Sequence, residues 1–112
     1  MAKINRWAVG IDANQPQIVE DLRKIPGVTV ELDHDDIIVG AQGLTFWYEL
    51  KSEEAVSKKT GLILESQINP DQKRIRAEFT GHYKIVASFD QIIENMNETF
   101  RRFGLRIIKI YR

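Results

Sequence analysis

Residues 35–51 read DDIIVGAQGLTFWYELK. Ile37, Ile38 and Val39 form a β-branched run, and Gly40, Ala41, Gln42 and Gly43 form a turn. Leu44–Leu50 (LTFWYEL) follows as a second apolar strand, so the stretch predicts a β-hairpin. Asp36 starts its first strand, Glu49 ends its second, and Lys51 lies two residues further on. In an antiparallel pair the start of one strand faces the end of the next, so Asp36 is expected to meet Glu49 and Lys51. Residues i and i+2 of a strand share a face. Glu49 and Lys51 therefore point one way, with Leu50 turned toward the core.

Two carboxylates and an ammonium in one small region suit phosphodiester hydrolysis. Hard oxygen ligands hold Mg²⁺ or Mn²⁺ and leave room for water and a phosphate oxygen. The ion lowers the pKa of bound water and offsets charge in the transition state. A lysine beside it positions the attacking water and stabilises developing negative charge. On its own the spacing is a weak pattern, because an acid-x-Lys on a strand is more often a solvated face with a rim ion pair.

Working outward, residues 14–25 predict a helix. Asn14 is a good N-cap, and Pro16 falls in the first turn, where its missing N–H costs nothing. Ile18, Val19, Leu22 and Ile25 give an apolar face, and Pro26 with Gly27 stops the run. Val28–Leu32 (VTVEL) alternates as a strand does, and the short polar cluster Asp33, His34, Asp35, Asp36 follows. Residues 51–69 are polar and mixed and predict a long mobile loop, of a kind uncommon unless functional. Asn69 and Pro70 open a helix running to about Phe79 and ending at Gly81. Residues 83–87 (YKIVA) predict a strand. Ser88 or Asp90 caps a last helix through about Phe103, Gly104 ends it, and Leu105–Tyr111 (LRIIKIY) predicts a final strand. The order α-β-β-β-α-β-α-β implies an α/β fold with a mixed sheet flanked by helices.

The landmarks in this order resemble the VRR-NUC (virus-type replication-repair nuclease) branch of the PD-(D/E)xK superfamily, in its short stand-alone phage or prophage form. DANQPQIVEDLRK (residues 12–24) is similar to the family's first helix. DDIIVGAQGLTFWYELK is similar to its "PDLLVG–G–EVK" hairpin, and INPDQKRI (residues 68–75) to its "LTPDQ" helix start. Gly81 and VASFDQII (residues 86–93) match the closing strand and helix. The resemblance covers residues 12–97, about three quarters of the chain, and leaves 98–112 as a basic C-terminal extension.

It implies a restriction-endonuclease-like core in a single nuclease domain over residues 1–112. The implied active site comprises Asp36 and Glu49 as metal ligands, Lys51 serving the nucleophile and Gln72 assisting. It implies Mg²⁺ or Mn²⁺ as cofactor, branched or four-way-junction DNA as substrate, and a homodimer that cuts two strands symmetrically. Two positions depart from the pattern. Asp35 stands where the family usually has proline. Gln15 stands near where the first helix often supplies a glutamate, so its carbonyl is the candidate third metal ligand, and a catalytically weak DNA-binding module is the alternative reading.

Three basic clusters are candidate phosphate contacts: Lys58 and Lys59; Lys73, Arg74 and Arg76; and Arg101 and Arg102 in the tail segment 99–112, which holds five basic residues and no acidic one. His34 reads as a solvent-facing turn residue, and His82 is given no catalytic role. Of Trp47 and Tyr48 one is expected in the core, the other free to stack on a base or an interface. Phe46, Phe79 and Phe89 are expected to pack in the core. The apolar alternation of the tail suggests pairing with a sheet edge, such as that of a second subunit.

Over 112 residues, 16 basic and 16 acidic side chains cancel, so distribution matters more than the sum. The absence of cysteine excludes disulfides, thiolate chemistry and Cys-ligated zinc. The start MAKINRWAVGID is too polar for a signal peptide, and no apolar run approaches a membrane span. A soluble cytoplasmic protein without a membrane partner or a small organic cofactor is the resulting expectation.

Overall fold

A computed structural model describes residues 15–33 and 36–111. Helix α1 (Gln15–Arg23) precedes three strands, β1 (Val28–Asp33), β2 (Asp36–Ala41) and β3 (Leu44–Leu50). Two single-turn 3-10 helices, Glu53–Ala55 and Glu65–Gln67, lead to α2 (Pro70–Glu78), β4 (His82–Val86) and α3 (Phe89–Arg102). The proposed caps Ser88 and Asn69 are both in place. Ser88 accepts from the Gln91 N–H, and Asn69 forms a reciprocal capping box with Gln72. Asn14, His34, Asp35 and Arg112 lie outside the described residues.

The sheet runs β1-β2-β3-β4, antiparallel through the first three strands and parallel between β3 and β4. Strand β2 continues to Ala41, so the connection to β3 is only Gln42 and Gly43, tighter than the four-residue turn read from the sequence. Both have positive φ, 52° and 81°, as a two-residue hairpin turn matched to strand twist requires.

Alternation then sorts the sheet into two faces. Val30, Ile37, Val39, Phe46 and Tyr48 point one way and are buried. Ile18, Val19 and Leu22 of α1 and Ile92, Met96 and Phe100 of α3 close over them. The opposite face carries Asp36, Trp47, Glu49 and Tyr83, and α2 reaches it through Phe79, whose ring meets Trp47 at 5.2 Å. A four-stranded mixed sheet flanked by helices is thus the architecture. Among the described residues no helix is long and apolar enough to cross a membrane.

Three expectations are corrected. Leu105–Tyr111 pairs with no strand: Gly104, at φ 68°, closes α3, with Leu105 N–H on Phe100 C=O and Gly104 N–H on Arg101 C=O. The tail then turns back over the helical layer, where Leu105, Ile107 and Ile108 pack on the core. The carboxamide of Asn97 donates to Ile108 C=O (2.8 Å) and accepts from Ile108 N–H (2.7 Å), so a side chain makes the bonds a neighbouring strand would have made. Phe79, expected in the core, is 46% exposed, because it stands at the C-terminal end of α2 on the polar side of the sheet. The segment 51–69 folds back on itself rather than hanging open. Val56 bridges Ile63, Leu64 N–H donates to Ala55 C=O, and Gln91 Nε2 holds Gly61 C=O.

Candidate active site

Asp36 and Glu49 are direct cross-strand partners in the β2–β3 register. Side chains opposite one another in an antiparallel pair sit with Cβ atoms about 4.5–5.5 Å apart, and like charges there are destabilising. Glu49 is buried, 6% exposed. Trp47, one diagonal step away, donates its indole N–H to Asp36 Oδ2 at 2.7 Å. That bond fixes the carboxylate and leaves Oδ1, which is buried and has no hydrogen-bond partner. Lys51 follows β3, its backbone N–H bonded to Val86 C=O at 2.8 Å, which continues the parallel pairing and holds the residue at the Glu49 end of the sheet.

The buried side-chain polar atoms without partners among the described residues are few. They are Asp36 Oδ1, both carboxamide atoms of Gln15, and the Tyr83 hydroxyl. Leaving such a group unpaired costs about 1–3 kcal/mol, so each asks for an explanation. The orphaned Asp36 oxygen, across the strand pair from the buried Glu49, fits a hard divalent cation, while Gln15 opens α1, the helix that covers the other face of the sheet. Among the described residues no three histidine or acidic side chains converge closely enough to hold a metal. Asp33 stands opposite Asp36 in the β1–β2 register, which puts it on the same face but two strands from Glu49.

Gln72 is buried in the first turn of α2. Its Oε1 accepts from Asn69 N–H (3.1 Å) and its backbone N–H donates to Asn69 Oδ1 (2.8 Å), so the cap uses its oxygen and not its NH₂ group. Arg76 holds Glu65 through two bonds of 2.9 and 3.0 Å, which keeps the Glu65 carboxyl below its ordinary range. Arg74 lies 3.7 Å from both Asp71 and Glu78, while Lys73 adds positive potential at Glu65. Lys58 and Lys59 sit in the turn between Val56 and Ile63, which Gln91 ties to the start of α3.

Arg101 and Arg102 are elsewhere. Helix α3 begins just after Val86 and runs back along the core face, so that Phe100 meets Phe46 at 5.8 Å and Phe103 meets His82 at 6.1 Å. Its C-terminal arginines therefore lie at the opposite end of the sheet from Glu49 and Lys51. His82 is a packing residue, 5.1 Å from the Phe46 ring.

Tyr48 is the core aromatic of the Trp47–Tyr48 pair, fully buried with its hydroxyl on Asn95 Oδ1 at 2.7 Å, and burial pushes its ionisation far upward. Tyr83 was not legible as a site residue, and the sequence left open which ring of the Trp47–Tyr48 pair faces the site. Trp47 is an indole donor to the acid pair, and Tyr83 is its register partner on β4, with the rings 4.9 Å apart. Burial, then the negative potential of Glu49 and Asp36, push the Tyr83 phenol well above its ordinary value against the opposing Arg76. No family model, no curated protein and no solved structure matches the chain.

Proposed function

We propose that this chain is a Mg²⁺- or Mn²⁺-dependent endonuclease with a PD-(D/E)xK core related to the VRR-NUC type. We further propose that it acts on branched DNA, four-way junctions above all, as a homodimer. The observation that carries the reading is the Asp36–Glu49 register with a buried, unpartnered Asp36 Oδ1. Two acids directly opposite one another on a half-covered face are an expensive arrangement for a merely structural surface.

Asp36 and Glu49 would hold the ion. When bound, it supplies an activated water and charge compensation at the phosphate. The chain's own contributions are separable. Trp47 holds Asp36 in one orientation, so the carboxylate presents Oδ1 without reorganising. Lys51 orients the attacking water and stabilises negative charge on the phosphate. Gln72 offers its NH₂ group while its oxygen maintains the helix cap.

The test is incubation of pure protein with a labelled four-way junction and a matched linear duplex in Mn²⁺, Mg²⁺ or EDTA. Junction cutting is expected with either ion and not in EDTA, and Lys51→Ala should slow it by about 10²-fold or more. Undiminished cutting by Lys51→Ala or Asp36→Ala would remove the assignment. The neutral, unpartnered Gln15 favours a second reading, a junction-binding module with weak catalysis. That reading expects a gel shift in Ca²⁺ and intact DNA in Mn²⁺.

A further inference from the structure

Tyr83 carries a polar atom that neither the core nor the cap chemistry uses. Its ring is fixed by two T-shaped contacts, to Trp47 at 4.9 Å and to Phe79 at 6.5 Å. Its hydroxyl is buried without a hydrogen-bond partner, on the face that bears Asp36 and Glu49 and within reach of their potential. A phenol is protonated near neutral pH and therefore donates, and a buried donor with nothing to donate to is unusual in a folded protein. The parallel register sets Tyr83 beside Trp47 on the same sheet face as the acid pair, with Ile85 beside Glu49.

We infer that Tyr83 is a substrate-contacting residue of the same site, its hydroxyl donating to a non-bridging oxygen of the phosphodiester held between Asp36, Glu49 and Lys51. The inference rests on the nuclease reading and adds a neutral donor to its single ammonium. A neutral hydroxyl adds no charge to the ground state and acts where negative charge builds on the phosphate oxygens, so its effect falls on turnover more than on binding. Because the donor has no partner in the free protein, losing it takes nothing from the fold.

Tyr83→Phe tests this, since it keeps both ring contacts and removes only the hydroxyl. Junction-cleavage kinetics in Mn²⁺ and thermal melting are measured on wild type and variant together. The expected result is kcat lower by about 10²-fold, KM little changed, and a melting temperature equal to or above that of wild type. A variant that cuts as fast as wild type overturns the phosphate contact and leaves the nuclease reading intact. A variant that melts clearly lower shows that the hydroxyl serves the fold, and this too overturns it. Wild-type protein that cuts no DNA in any metal overturns the nuclease reading and this contact with it.

Discussion

Carboxylates set face to face across two strands repel unless a proton or a cation comes between them, and Asp36 and Glu49 are so placed. That they would meet at one end of a hairpin was legible from residues 35–51, but the direct Asp36–Glu49 pairing follows from the two-residue turn at Gln42 and Gly43, tighter than the turn read from the sequence. The roles of Trp47 and Tyr83 were not legible. An aromatic pair on a strand says that one ring is core but not which, and Tyr83 arrives on a parallel strand whose register no local turn sets. The Trp47 bond to Asp36 predicts that Trp47→Phe, which keeps an aromatic ring, lowers stability by about 1.5–3 kcal/mol, the range for a hydrogen bond to a charged group. It should also weaken Mn²⁺ binding, and denaturant melts with calorimetric titration check both. Gln15→Glu tests the neutral position directly. A buried carboxylate without a partner should cost about 3 kcal/mol in EDTA, and saturating Mn²⁺ should restore that loss if the side chain reaches the ion. An equal loss with and without Mn²⁺ would place Gln15 away from it.

Among the elements, the helices and the first three strands followed from local signals: Asn69 with Pro70, Ser88, the alternation of residues 28–32, the β-branched run 37–39 and the apolar stretch 44–50. The tail misled, because LRIIKIY has the composition of a strand but no strand edge receives it. Asn97, buried in α3, captures the Ile108 backbone instead, and this capture depends on a side chain eleven residues away that no periodicity exposes. Asn97→Ala removes both bonds and leaves the Ile108 groups to find water. The expected loss is about 2 kcal/mol, and trypsin should cut after Arg106 and Lys109 much faster than in wild type. Tail cleavage at the wild-type rate would show that the apolar contacts of Leu105, Ile107 and Ile108 hold the segment without the clip. Gln72 allows a second separation of roles. Gln72→Glu preserves the acceptor for Asn69 N–H, since glutamate also completes a capping box, while removing the NH₂ group. Unchanged melting with slower junction cutting is the expected pair of results, and unchanged cutting would reduce Gln72 to its cap.

Across the whole molecule the two faces of the sheet have opposite demands, and the basic residues are divided by the fold rather than gathered. Lys58 and Lys59 occur in the segment that leaves the Lys51 end of β3, whereas Arg101 and Arg102 lie at the far end, beside the Phe46 and His82 level. The sequence could count these clusters but not place them, because the direction of α3 decides which end each one occupies. On the proposed nuclease reading, a DNA strand whose phosphate sat at Asp36 and Glu49 would run toward the first pair and, within one subunit, away from the second. Each phosphate neutralised contributes about 0.9 to the slope of log K against log salt on duplex DNA. Lys58→Ala with Lys59→Ala should therefore flatten the slope measured in Ca²⁺ by about 2, while Arg101→Ala with Arg102→Ala leaves it unchanged for a monomer on a short duplex. On a four-way junction a homodimer presents a second set of both clusters, and a flattening by the arginine pair that appears only there would mean that the far end meets a second DNA arm. If the arginine pair flattens the slope on the short duplex and the lysine pair does not, DNA runs along the opposite end of the sheet. The acid pair would then be too far from the backbone to cut it.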